Sequence, residues 1–470
     1  MVKKFNIKIL IIIMSIIIVI SYFFITIFLI GDDKSHNIKK LISNEHKQII
    51  KKYFFPYKLI STQQKELQFQ KKKVQRLTEE NRNLKVVLEL NYKKGGRYIR
   101  TSESNIKLSN NKNLKKYKLL EGFYSDIYKY DTKSGYIDFS ENREFILSSR
   151  GVLAFGKNLN DQEVSFKQIQ NNINNFIGIK EFTKSHESSI KDLLISKGKI
   201  FVSYTEEIKE DCWNTSIIYG IINYENIKFK NFFSPKECVH SIDNIDKEFT
   251  LVQSGGRMVS FNDNYILLTI GDYRSRHLAQ DKKSLNGKII KINIDNSDYK
   301  IISMGHRNPQ GLYFDKENNF IIETEHGPKG GDEINLIEVS KASKDKILNY
   351  GWPMASAGKH YGGKRVENKK LYKKYPLYKS HSKYGFIEPL MSFVPSIAIS
   401  EIVKIGQNRY VVSSLKDKSL YFFELNKQRE IINLDRLEVF ERVRDLKFKN
   451  NKLYLFMEDT ASIGVISLFE

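Results

Sequence analysis

A chain of 470 residues, 41% hydrophobic and 12% aromatic, can bury a sizeable core, which excludes a disordered protein. Its formal charge of +23 would suit nucleic acid, but residues 1–116 carry 25 Lys/Arg against 8 Asp/Glu, and residues 117–470 carry 52 against 46. The basicity belongs to the N-terminal part, and no nucleic-acid partner is expected.

The first element is an uncharged apolar run, ILIIIMSIIIVISYFFITIFLIG, from Ile9 to Gly31. It exceeds a signal-peptide core of about 7–15 residues and matches the roughly 20 needed to cross a bilayer. Lys3, Lys4 and Lys8 precede it and no A-x-A-like cleavage site follows. Residues 1–31 are therefore expected to form a tail and an uncleaved, single-pass transmembrane helix. The expected localisation is the inner (cytoplasmic) membrane, with the C-terminal part in the periplasm or outside the cell. Charge alone leaves the orientation close to a tie, since lysines flank both ends, and only the short tail favours an inside N-terminus.

Residues 32–94 read as a helical stalk interrupted near Pro56. A heptad over 67–91 puts Leu67, Val74, Asn81 and Leu88 at one seam position and Gln70, Leu77 and Leu84 at the other. An interior Asn can fix register in a two-stranded coil, so a parallel homodimer is favoured over a solvated spacer helix. KKGGRYIR ends the helix, and residues 95–117, containing SNNKNLKKYK, read as a polar linker.

From residue 118 the pattern changes to short apolar runs cut by Gly, Asn and Asp. GYIDF, EFILSS, KIFVSYT, YILLTIGD, GKIIKINI, NFIIETE, RYVVSSL, SLYFFEL and KLYLFME all read as strands, with no long amphipathic helix among them. Such spacing predicts an all-β sandwich, barrel or propeller. Six four-stranded blades over residues 118–470 would average roughly 59 residues each, beside propeller repeats of about 40–50. Cys212 and Cys238 fall at the open end of one predicted hairpin, where a disulfide would suit an oxidising compartment. Two unrelated buried thiols are the alternative.

The motifs carry the chemistry. GHRNPQG, residues 305–311, gathers four polar side chains on one short turn ahead of a strand. In RVRD, Arg442 and Arg444 stand two apart, so on a strand both guanidinia face the same way. Like charges side by side repel unless an anion lies between them. With Lys416 and Arg307 they would suit a multivalent carboxylate ligand, and surface pairing with Glu441 and Asp445 is the plainer reading.

In order, GHRNPQGLYFD, EHGPKGGDEINLI, NYGWP, PSIA, SLK and RVRD resemble the soluble quinoprotein glucose/sorbosone dehydrogenase family. The resemblance runs from about residue 118 to the C-terminus and implies a six-bladed β-propeller that uses pyrroloquinoline quinone (PQQ) and Ca²⁺ to oxidise aldose sugars. It implies that Arg307 and Asn308 contact the quinone oxygens, and that Lys416, Arg442 and Arg444 hold the cofactor's carboxylates. It places the carbonyls of Gly327 and Pro328 on calcium, with Asp332 in the matching acidic turn and Ser396 near the cofactor. Asp272 matches the carboxylate that orients the catalytic base.

The base itself departs from the family's pattern. Where the family has a histidine four residues before the arginine of a Gly-rich turn, LVQSGGRMV has Gln253, four before Arg257. A carboxamide has no useful basicity at neutral pH, and losing a general base costs about 10²–10⁴ in rate. Glu187 could stand in from another blade, and His240 lies nearby in sequence. His326 reads as packing beneath the cofactor, and His360 and His381 as loop histidines. The expected function is thus a membrane-anchored PQQ-dependent sugar dehydrogenase with a substituted base. A non-catalytic propeller that binds a carbohydrate or cell-envelope ligand is the alternative.

Overall fold

The computed structural model describes residues 12–22, 60–61, 63–78 and 97–468, the last apart from 110, 121, 124–133, 158–163, 186, 343–346, 362–369 and 371. The chain divides into two compact units, Met1–Thr78 and Glu79–Glu470.

In the first unit, residues 12–22 and 63–78 are helical. The expected transmembrane anchor, and the membrane localisation that followed from it, must be corrected. No helix among the described residues is long and apolar enough to cross a membrane. The helical part of the apolar run, 12–22, would cover about 16 Å at 1.5 Å per residue, roughly half of a bilayer's hydrocarbon core. The rest of that run lies outside the described residues, as do Pro56, Asn81, Leu84 and Leu88. Leu67, Val74 and Leu77, expected at a coiled-coil seam, are exposed on their helix.

The second unit is all-β and propeller-like. Every run predicted as a strand is one, from Gly135–Ser140 to Lys452–Met457. Their hairpins follow from turn chemistry. Asn450 and Asn451 both take positive φ (49° and 61°) between Val443–Lys449 and Lys452–Met457, the two-residue turn whose twist matches that of paired strands.

The strands form antiparallel groups of four. Gly135–Ser140, Arg143–Ser148, Leu153–Lys157 and Ser165–Asn171 pair in succession. The next group, Ile190–Ser196, Lys199–Lys209 and Cys212–Ile221, takes Lys230–Phe233 as its outer strand. Gly255–Phe261, Tyr265–Ile270, Lys288–Asn293 and Tyr299–Met304 follow. Then come Pro309–Asp315 with Phe320–Glu325, Asp332–Glu338 and Met391–Phe393. Ile399–Lys404, Arg409–Ser414, Ser419–Leu425 and Ile431–Glu438 complete the next.

The last group, Val443–Lys449, Lys452–Met457 and Ser462–Ser467, is completed by Asn113–Leu119 from the other end of the chain. The segment expected as a linker therefore holds two strands, Tyr98–Lys107 and Asn113–Leu119, and the β-unit begins before residue 118. Its Lys115 and Lys118 face solvent while Leu114, Tyr117 and Leu119 are buried. A half-exposed strand with so many lysines looks polar overall, which is why composition disguised it.

Apolar clusters fill the space between successive groups. One holds Phe145 and Leu153 of the first against Leu193 and Val202 of the second, and another returns from Phe456 and Ile463 of the last to Ile137 and Ile146 of the first. The innermost strands meet in a closed ring, each packed on the next and Val443–Lys449 on Gly135–Ser140. Their third residues share one level. Arg257 contacts Asp192 (2.8 Å), Glu401 (2.8 Å) and Asp445 (2.9 Å), all almost fully buried. These carboxylates also accept from neighbouring inner strands, at Met258 N, Leu312 N and Ile137 N. The predicted disulfide is present: Cys212 and Cys238 are bonded across a Cα separation of 5.3 Å.

Candidate active site

Because the third residues of the inner strands share a level, the segments leading into those strands share one face of the ring. Gln253, Arg307, Asn308, Ile397 and Arg442 all stand on such segments. The motifs that are far apart in sequence are thereby brought together.

Gln253 lies on a single 3-10 turn, Leu251–Gln253, whose start is held by the Thr250 hydroxyl. In the amide orientation that satisfies its neighbours, its NH₂ donates to Asp272 Oδ1 (3.2 Å). Its carbonyl accepts from Arg307 Nη2 (2.7 Å) and Arg274 Nε (3.1 Å). Asp272 is fully buried and also accepts from Trp352 Nε1 (2.7 Å) and the Arg274 backbone N–H (2.9 Å). Burial pushes the Asp272 carboxyl up, and the Arg307 charge holds it back. Burial likewise pulls the Arg307 guanidinium down, against the pull of Asp272.

Glu187, considered as a stand-in base, accepts from Thr250 Oγ1 (2.6 Å) and Leu251 N (2.7 Å). Its carboxylate anchors the turn that carries Gln253. His240 is exposed on Val239–His240, paired with Cys212. Among the described residues, no hydrogen bond joins Gln253 to Glu187 or His240.

Arg307 Nη1 donates to the His326 carbonyl (2.8 Å), and the His326 N–H donates to the Asn308 carbonyl (3.1 Å). Asn308 Oδ1 accepts from Gly255 N and from Gln310 Nε2, both at 3.1 Å. Gln310 Oε1 in turn accepts from Arg444 Nη1 (2.9 Å). Arg444 and Arg442 share one buried carboxylate, Glu458, at 2.6 and 3.1 Å. Among the described residues, neither arginine pairs with Glu441 or Asp445, the reading weighed from sequence: Glu441 holds Lys116 and Asp445 holds Arg257. Glu458 was missed, although its register was readable. It directly follows the strand paired with Val443, and its N–H donates to the Arg442 carbonyl (2.8 Å).

Lys416 is exposed and makes no ion pair among the described residues. Its backbone N–H donates to the Ile397 carbonyl (3.0 Å), joining SLK to PSIA, with Ser396 one residue earlier. Asp332 ties the remaining turn in, accepting from Gly327 N (3.2 Å) and Ile399 N (3.1 Å). A Cβ at Gly327 would lie 1.7 Å from the Gly331 carbonyl oxygen, so only glycine fits there. His360 and His381, expected in solvated loops, are buried instead. His360 sits against Arg276 and the Tyr375 carbonyl, and His381 beside Glu388 and Glu333.

Two features bear on the implied cofactors. Among the described residues, no hydrogen bond is made to the Gly327 or Pro328 carbonyls, which leaves two hard oxygen donors unspent. The side chains of Arg442 and Arg444 remain partly accessible (27% and 18%) after binding Glu458. Together with Lys416, these donors fit a carboxylate-bearing ligand.

Residues 194–466, more than half of the chain, match the Glucose / Sorbosone dehydrogenase family. The chain belongs to the glucose/sorbosone dehydrogenase family. Within it, the chain is 27% identical over 248 residues to the aldose sugar dehydrogenase YliI of Escherichia coli strain K12, covering 48% of this chain and 61% of that one. It is 31% identical over 203 residues to quinoprotein glucose dehydrogenase B of Acinetobacter calcoaceticus, covering 34% of this chain and 41% of that one. The chain thus spans about half the length of these curated relatives. The PQQ-bound aldose sugar dehydrogenase of Streptomyces coelicolor shares the fold, with a TM-score of 0.51 at 17% identity over 69% of this chain and 90% of that one.

Proposed function

We propose that this glucose/sorbosone dehydrogenase family member is a PQQ-dependent oxidoreductase acting on a sugar, built on a six-bladed propeller with calcium at the Gly327–Pro328 turn. One observation carries the reading. Gln253, Asp272 and Arg307 are in direct contact, and a hydrogen-bonded path through Asn308 and Gln310 joins them to Arg444 and Glu458. The quinoprotein relative and the PQQ-bound structure support the choice of cofactor.

When bound, the quinone would supply the two-electron acceptor for hydride leaving the sugar carbon. The chain's own residues do the rest. Arg442, Arg444 and Lys416 would hold its carboxylates. Arg307 and Asn308 would stand at its reactive oxygens, where a fixed guanidinium would stabilise developing negative charge. Asp272 holds the Gln253 amide, and Gln253 positions the reacting hydroxyl without accepting its proton. Proton removal is then the slow step, left to solvent.

A second reading, a carbohydrate-binding propeller without turnover, draws on Gln253 alone. The two separate in one experiment. The full chain with PQQ and calcium should show a bound-cofactor spectrum that aldoses bleach slowly. A bound spectrum that no sugar bleaches would reject the enzyme reading.

A further inference from the structure

We propose that the site at Gln253 selects a sugar bearing a negative charge, a carboxylate or a phosphate, and that Arg274 is the residue that selects it. The inference rests on the proposed function only in placing the substrate over Gln253.

Two guanidinia, those of Arg274 and Arg307, converge on a single neutral acceptor, the Gln253 carbonyl. A neutral oxygen satisfies two N–H groups but cancels neither charge. Among the described residues, the one carboxylate in contact with this group, Asp272, is committed to the Gln253 amide, the Trp352 indole and the Arg274 backbone N–H. Nearby, Arg276 is balanced separately by Glu248. Arg274 makes no ion pair among the described residues, and it is partly exposed while Arg307 is buried. The site therefore holds one positive charge more than it can neutralise. Its remaining donors, the Arg274 η nitrogens, make no hydrogen bond among the described residues and form a planar fork suited to a carboxylate or phosphate.

The backbone points the same way. Tyr273 and Arg274 both adopt left-handed conformations (φ 51° and 66°), which glycine takes without strain. An arginine at the second position strains the turn and sets its guanidinium over Gln253. Of the cations assigned to the quinone, Lys416, Arg442 and Arg444 lie on other segments, and Arg307 is the one shared with this site.

The test is calorimetric titration of the full chain, with and without PQQ and calcium, using D-glucuronate, D-glucose 6-phosphate and D-glucose. Both anionic sugars should bind at least about 10-fold more tightly than glucose at low ionic strength, an advantage that shrinks with added salt. Arg274→Gly, which suits the turn, should abolish that preference and leave quinone affinity unchanged. Preference for only one of the anions would narrow the class to carboxylate or phosphate and still support the proposal. Equal affinity for glucose, or a preference that survives Arg274→Gly, would overturn it. So would a parallel loss of quinone affinity, which would assign Arg274 to the cofactor. Anionic sugar bound without any quinone binding would sink the redox function and spare this inference. Quinone bleached equally by glucose and glucuronate, with equal affinities, would do the reverse.

Discussion

Two charged centres lie close together in the ring and have opposite balances. At the level of the inner strands' third residues, Arg257 is enclosed by Asp192, Glu401 and Asp445, with Lys447 and Asp138 nearby. Carboxylates outnumber cations there, and burial pushes Glu401 up to about 7 and Asp138 to about 6. On the adjacent face, Arg274, Arg307, Arg442 and Arg444 are matched among the described residues by two carboxylates, Asp272 and Glu458, and Lys416 by none. The first centre is closed on itself and holds the inner strands together. The second has cations and donors to spare, as a binding site for anions requires. Arginine on its own marks neither; what separates them is whether the carboxylates suffice.

The largest effect should come from breaking the closed centre. Arg257→Met leaves three buried carboxylates without their cation and should cost about 3–5 kcal/mol near pH 8. The cost should shrink toward pH 5. Glu401 has a folded pKa raised above its unfolded one, so its contribution to stability is present at low pH and is lost as the pH rises through about 7. Urea denaturation across that range measures it. A loss that does not depend on pH would mean these carboxyls do not titrate as described.

Gln253→His is next. The imidazole would meet Asp272 in place of the amide, and turnover of the PQQ-loaded chain should rise about 10²–10⁴-fold. The flanking Arg274 and Arg307 would hold its pKa down and shift the optimum to lower pH than an unflanked imidazole gives. Unchanged turnover with intact quinone binding would show that the base is not what limits the reaction. Glu187→Gln should leave turnover largely in place, because Glu187 is committed to the turn.

Lys416→Ala should have the smallest structural effect. As an exposed cation without an ion pair among the described residues, its loss should change stability by no more than about 0.5 kcal/mol. A larger change would place Lys416 with the structural charges.

Much of the β-unit was legible because strand period and turn chemistry are local. What escaped was non-local. Asn113–Leu119 pairs with Ser462–Ser467, and its polar composition concealed the alternation of buried Leu114, Tyr117 and Leu119. The apolar run from Ile9 was read from its length, its lack of charge and its flanking lysines, and these do not establish a spanning helix. In the site, Gln253, Asp272 and Arg307 were found by resemblance, and the structure brings them together. Glu458 needed a hairpin register to be seen. Trp352 stood in the quoted NYGWP motif without a role assigned to it, and Arg274 carried no signal, since an arginine on a polar turn reads as a solvated residue.

The most direct measurement is a calorimetric titration of PQQ, with calcium, into the full chain, Lys416→Ala and Arg442→Ala. Arg442→Ala leaves Arg444 to hold Glu458, so the protein should remain folded, as circular dichroism would check. The wild type should bind with an affinity that falls as salt rises, and each substitution should weaken it by about 10-fold or more. No binding by the wild type, or equal affinity in all three, would contradict the assignment of this face to the quinone.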